Sequence, residues 1–377
     1  MVQIATEVPW QARRFELPLE RIRRCEEHGF DAVFTAEGVG SDALTPLGYL
    51  AAVTRRLKLG THVATLTARP PTVLAQALQT INAMAGGDRV IVGVGGGFPS
   101  TCEGWHGQPW GNPVRRMRDY VDVLRQAFRT AGGVDAEGQP IETTELYAWE
   151  HARARLANPV RCQSPEISIP YAREGARDVQ PWVSTLESGP ADPPIVLAAV
   201  GPQMITLAAE TADGWFPWGF APGMMPAYEP LLAKGFGRAG ARRRRADFAI
   251  WVLVDLMVSD DVKAGIDLFR PYIVEYAEHM RFQSEALGYH GLSDRLKELV
   301  LAGRRNEALA SVPDEYVDNA FLIGSHARIA QRLKIWADSG ATGLIFRYGP
   351  QAQTGALSGL VEDFDIWETI GKAARRL

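Results

Sequence analysis

The 377-residue sequence predicts an α/β protein built as a closed (β/α)8 TIM barrel with insertions after strands 4 and 7. Three observations carry this. Apolar, β-branched runs alternate eight times with helix-like stretches, the order that gives a parallel sheet with helices outside it. The stretch Leu57–Gly97, LKLGTHVATLTARPPTVLAQALQTINAMAGGDRVIVGVGGG, reads as strand, helix and strand, both strands apolar as if covered on two faces. Finally, about 250 residues suffice for such a barrel, which leaves roughly a hundred for insertions.

The elements follow in order. Val2–Val8 reads as the first strand, and Pro18–His28 as a helix with Leu19, Ile22 and Cys25 on one face. Gly29 ends it before the second strand, Asp31–Ala36, and the helix Ala43–Arg55. Leu57–Leu66 is the third strand. Pro70 and Pro71 open the next helix, Gly86-Gly87 closes it, and Arg89–Val94 is the fourth strand. Val114–Thr130 has Met117, Tyr120, Val121, Leu124 and Phe128 at helical spacing. Strands five to seven are Ile195–Val200, Gly214–Pro217 and Phe248–Val258, with helices at Gln203–Ala212 and Met225–Lys234. Long helical material runs from Asp261 to about Leu309. The helix His326–Asp338, the eighth strand Thr342–Phe346 and a helix from Leu357 complete the order. Residues 132–194, rich in Pro, Gly and Ser, and the helical stretch 272–319 are the expected insertions into a single domain spanning 1–377.

Hydrophobic content of 46% and charged content of 22% allow a large core, and a formal net charge of -4 argues against nucleic acid or an anionic membrane as partner. Arg242–Arg245 reads as a solvated turn. Three cysteines without metal spacing, and an N-terminus without a secretory pattern, point to a cytoplasmic protein with no metal. No apolar stretch is long enough to span a bilayer.

Chemistry should sit at the strands' C-terminal ends. The run Gly93-Val94-Gly95-Gly96-Gly97 resembles a dinucleotide fingerprint, but Phe98 stands where its third glycine belongs and FPSTCEGWHGQPW reads as a loop. The glycines suit a flat ring lying against the backbone. Gly201-Pro202-Gln203 opens a helix whose free amides suit a phosphate. Glu37, directly after strand two, is either a surface carboxylate or a group that hydrogen-bonds or protonates a ring. His62 is either a packed strand residue or an acid–base group. His106, with Trp105 and Trp110, walls a substrate pocket or plugs it. Asp255 interrupts strand seven and Arg347 ends strand eight, and both can reach the mouth. With no nucleophile or metal motif in view, a cofactor is the expected source of chemistry.

The segments GFDAVFTAE, LKLGTHVATLTARPPTVLAQ, GDRVIVGVGGG and PIVLAAVGPQMITLAAETADGW, in that order, resemble the luciferase-like flavin monooxygenase superfamily. GQPWGNPVRRMRDYVDVLR and AGRRNEALASVPDEYVD resemble its actinobacterial F420-dependent oxidoreductase branch. The resemblance implies a barrel holding coenzyme F420, or alternatively FMN, across its mouth. It implies ring contacts at Glu37, at His62-Val63 with a non-prolyl cis bond, and at Gly95, Gly96 and Gly97. It places a phosphate near Gly201, Pro202 and Gln203. Gly38 and Phe98 replace the acid–base pair of the family's sugar-phosphate dehydrogenases, so that activity is not carried over. Phe98 with Trp105, His106 and Trp110 points to an apolar substrate. The implied function is hydride transfer with F420. The alternatives are oxygenation by reduced FMN and O2, fed by a separate reductase, and a flavin-binding barrel without turnover. A homodimer is implied as well.

Overall fold

The computed structural model describes residues 2–11, 14–129, 139, 159–177, 182–184, 186, 192–349 and 361–377. Eight strands close a ring: β1 Gln3–Val8, β2 Ala32–Thr35, β3 Lys58–Thr61, β4 Val90–Gly95, β5 Ile195–Ala198, β6 Gly214–Phe216, β7 Ala249–Val258 and β8 Gly343–Tyr348. Each pairs in parallel with the next, and β8 returns to β1. This is the predicted (β/α)8 barrel.

Period-two alternation divides its core. Ala5, Phe34, Ile91, Val196, Phe216, Trp251 and Ile345 fill the inside of the ring. Their neighbours Ile4, Val33, Val92, Leu197, Val252 and Leu344 face the outer helices. Moving two or four residues on from the inner set, toward the strands' C-terminal ends, changes the chemistry. β1 then presents Glu7, β7 Asp255 and β8 Arg347, whereas β4 presents Gly93 and Gly95 and β5 presents Ala198. The mouth is charged on one side and small on the other.

The helix Pro71–Met84 begins at Pro70-Pro71 as expected, and Gly86 and Gly87 end it at φ of +94° and +98°. Several expectations need correction. The third strand is not continuous: β3 stops at Thr61, and a two-residue strand, Ala64–Thr65, resumes pairing with β4. The stretch after the glycine run is not a plain loop, because Ser100–Trp105 forms a π-helical turn. The helical material after β7 is broken into Val262–Glu275, Arg281–Ala286, Leu292–Leu301, Arg305–Ala310 and Asp314–Ala320. Gly288, Gly291 and Gly303, all at positive φ, lie at the breaks. A short strand absent from the sequence reading, Leu322–Gly324, pairs with the end of β7. Most of 132–194 lies outside the described residues; its described part holds a small antiparallel hairpin, Cys162–Gln163 with Ser168–Ile169. The start of the last helix, expected from Leu357, also lies outside them, and its described span is Asp365–Ala374.

Candidate active site

The charged side of the mouth is one connected chain. His62 Nδ1 lies 2.7 Å from Glu7 Oε1, and the other Glu7 oxygen accepts from Arg347 Nη1 at 3.4 Å. Arg347 then donates through Nε and Nη2 to the two oxygens of Asp255, the latter bond 2.8 Å long. Glu7, Asp255 and Arg347 are 5% exposed or less. Burial pushes the Glu7 carboxyl up, but the bond and charge of His62, with those of Arg347, outweigh it and leave its pKa below the ordinary value. For Asp255 burial prevails over the pull of Arg347 and the pKa is raised. The bidentate geometry still pairs it with the guanidinium.

His62 sits where β3 breaks. Its peptide bond to Val63 is cis, at the place where the resemblance put one. The ring lies edge-on to Phe216 at 4.5 Å and to Phe34 at 6.2 Å, so the barrel's aromatic core forms its floor. Among the described residues no partner meets Nε2, and the side chain is 15% exposed.

The opposite side is shaped by absent side chains. A Cβ on Gly93 would lie 1.7 Å from the Thr61 carbonyl oxygen, and one on Gly95 would lie 2.5 Å from Val63 Cγ2. Gly97 needs its φ of +69°, while nothing lies within 4 Å of the Cβ position of Gly96. Val63 therefore stands against Gly95, and Gly96 opens onto free space. The backbone is thus bare at Gly96, where a flat group can approach it closely.

Glu37 is close by but is not free. Its Oε1 accepts from the Thr65 amide at 2.9 Å and its Oε2 from Arg69 Nη1 at 2.6 Å. With both oxygens engaged and a side chain 9% exposed, it fixes the segment that follows the break in β3. His106 Nδ1 is 2.8 Å from Thr67 Oγ1, which ties the π-helical turn to the same segment. Trp105 is 55% exposed, and Trp110 is held by its backbone amide on Glu103. Phe98 does not join these tryptophans in a ring contact. It meets His279 edge-on at 5.8 Å, and Trp218 and Tyr276 pack around the same His279 at 6.3 and 6.0 Å. An aromatic wall thus comes from three segments: the loops after β4 and β6 and the helical stretch after β7. Gly201 is the N-cap of the helix Pro202–Thr211, and Gly201, Pro202 and Gln203 are exposed just beyond β5.

Sequence reasoning did not single out Glu7, Trp218, Tyr276 or His279. Glu7 carried a usable signal, a lone charge inside an apolar strand, the same signal that marked Asp255. The wall residues carried none, because only folding brings residue 98 to residues 218, 276 and 279.

A parallel eight-stranded barrel with an ionisable cluster and a bare glycine backbone at its C-terminal mouth defines a (β/α)8 protein whose candidate site lies at the strand ends. Residues 7–343 match the luciferase-like monooxygenase family model, and the chain belongs to that family. It is 34% identical over 364 residues, 93% of this chain and 96% of the relative, to a Mycobacterium tuberculosis protein named "putative coenzyme F420-dependent oxidoreductase". The fold is shared with the coenzyme F420-dependent tetrahydromethanopterin reductase of Methanopyrus kandleri, at a TM-score of 0.68 and 15% identity over 99% of this chain and 98% of that one. It is shared also with the oxygenating constituent of 3,6-diketocamphane monooxygenase from Pseudomonas putida, solved with FMN, at a TM-score of 0.60 and 15% identity over 99% and 97%. No helix among the described residues is long and apolar enough to cross a membrane.

Proposed function

We propose that this protein is a coenzyme F420-dependent oxidoreductase acting on an apolar organic substrate. The observation that carries the reading is the cradle in which Val63 faces Gly95 and Gly96 lies open. A side chain at Gly96 would enter the open space that the reading assigns to a deazaflavin ring, whereas one at Gly95 would strike Val63. The M. tuberculosis relative, whose name carries the same cofactor, supports the choice. Val63, Gly95 and Gly96 would hold the ring, with His62 at its edge, and the helix start at Gly201-Pro202-Gln203 would take a phosphate. A bound deazaflavin supplies or accepts a hydride at its ring carbon.

The chain's own residues do the rest. Glu37 and Arg69 set the loop beside the ring, and Phe98, Trp218 and Tyr276 provide an apolar wall that favours a water-poor pocket. Trp105, at the end of the π-helical turn, with His106 and Trp110 after it, would line the substrate side of the same loop.

The FMN-bound neighbour makes oxygenation the competing reading. Absorbance and fluorescence titrations of the purified protein with F420 and with FMN separate the two. Saturable F420 binding at micromolar concentration or below, with FMN at least tenfold weaker, is expected. Tight FMN binding without F420 binding would overturn the proposal.

A further inference from the structure

The charged side of the mouth does more than support the barrel. A buried carboxylate on one nitrogen of an imidazole fixes the ring and its tautomer, and leaves the other nitrogen as the exchanging atom. His62 has this arrangement. Glu7 holds Nδ1, the rings of Phe34 and Phe216 pack edge-on against the imidazole, and among the described residues Nε2 has no partner, one peptide bond from Val63.

Glu7 is itself oriented. Arg347 takes its second oxygen, and Asp255 locks Arg347 through both of its own oxygens. The charged and titratable groups that face the dyad are therefore Glu7 on β1, Asp255 on β7 and Arg347 on β8. Tyr272, on the helix Val262–Glu275, lies against Arg347. With Glu7 and Asp255 ionised the set carries one negative charge beyond Arg347, and a proton on His62 brings it to zero. Such a set can hold His62 in place with or without its proton.

We infer that His62 Nε2 is the proton donor and acceptor of this active site, with Glu7 as its positioning residue and Arg347 and Asp255 as the support of Glu7. This rests on the proposed function. It also narrows the substrate to a carbonyl and alcohol pair. In oxidation the carbinol C–H bond breaks, and a bound deazaflavin would accept the hydrogen with its electron pair as hydride. The O–H bond breaks, its electrons form the carbonyl double bond, and its proton goes to Nε2. Reduction returns both. A substrate reduced without charge developing on a heteroatom would have no use for this dyad.

The first test needs no cofactor. Long-range 1H–15N spectra of histidine-labelled protein should show neutral His62 with its proton on Nδ1 and Nε2 bare. In Glu7→Leu the Nδ1–H preference should be lost. A neutral ring with its proton on Nε2 and Nδ1 bare in the unaltered protein would overturn the inference whatever cofactor binds, which separates it from a failure of the proposed function.

The second test uses the unaltered protein and diethyl pyrocarbonate, read by peptide mass mapping. His62 should be carbethoxylated, and F420 at saturation should protect it at least tenfold. An unreactive or unprotected His62 in protein that binds F420 counts against it. The third is kinetic, over a panel of ketones and secondary alcohols with F420. His62→Asn should lower kcat by about 100-fold or more, while KM and F420 affinity stay within about threefold. Unchanged kcat would refute the assignment.

Discussion

Glu7 is held by an imidazole on one oxygen and a guanidinium on the other, while its burial works against both. The balance lowers its pKa, and the sign of the consequence is fixed by linkage. As pH falls, the unfolded chain takes up the Glu7 proton first, near the ordinary 4.5, and the folded protein only at a lower pH. The stability contributed by the ionised group is complete above 4.5 and is lost as pH falls through the folded value. Glu7→Gln, which leaves Arg347 short of a charge, should cost about 3 kcal/mol or more at pH 7. That gap should narrow steadily in urea unfolding from pH 5 to pH 3. A gap independent of pH would show that Glu7 is not ionised in the fold. Asp255, whose pKa is raised by burial and in part by the Glu7 charge, relaxes toward its ordinary value in Glu7→Gln, so the difference reports the coupled Glu7–Asp255 set.

The same scale shows where the sequence was readable. A lone charge inside an apolar strand marked Asp255 and would have marked Glu7, because such residues survive only with partners, and a charge closing a strand marked Arg347. The run Arg242–Arg245 is a largely exposed turn, as composition suggested. What composition did not show is that Arg242 and Arg243 both donate to Asp213 Oδ1 at 2.8 Å, and that the buried Asp213 also holds Arg125.

Among the elements, helix starts and stops were legible because proline and glycine encode them locally, as at Pro70-Pro71 and Gly86-Gly87. The irregularity in β3 was legible through the resemblance, which put a bulge and a cis bond at His62-Val63, but not in the residues alone, because Thr61–Thr65 is apolar and β-branched enough to continue. Pairing of β3 stops after Thr61, where the His62 side chain meets Glu7 two strands away and the His62-Val63 bond is cis. The glycine end of β4 was legible as a close approach, and the structure sorts its members by what each one meets. Gly93 packs against the Thr61 backbone, which cannot retreat without parting β3 from β4. Gly96 faces open space. Gly93→Ala should therefore fail to give soluble protein or lower the Tm by 10 °C or more. Gly96→Phe should leave the Tm within about 2 °C and weaken F420 binding at least tenfold, since the ring would occupy the cradle. Scanning calorimetry and the F420 titration read the two effects separately. A Gly96→Phe protein that binds F420 normally would remove the cradle from the site.

For the molecule as a whole, one face of the barrel is unlike the rest. An outer helix ordinarily carries charge on its solvent side, as the first helix LERIRRCEE does. The second and third, Leu44–Val53 and Pro71–Met84, contain no charged residue at all. They pack side by side and leave Tyr49, Val53, Val73 and Met84 between 47% and 58% exposed. Tyr49 and Val53 are one turn apart, and Val73 and Met84 three turns apart, so each pair shares a helix face. Adjacent uncharged helices with large apolar side chains outward form the kind of patch that soluble chains cover. We propose that a second copy covers this one through the same two helices. A two-fold contact pairs a patch with itself, and with no charge on either helix no like charges are brought together. Light scattering at micromolar concentration should give twice 41.3 kDa. Val73→Glu combined with Met84→Glu should give the single mass, because the new carboxylates would be buried and would repel across the axis. Both substitutions lie at the outer surface of their helix, and the mouth is formed by the strand ends. F420 affinity should therefore change less than about threefold. Unaltered protein that stays monomeric at these concentrations would refute the pairing. A double variant that remains dimeric would move the interface to another face.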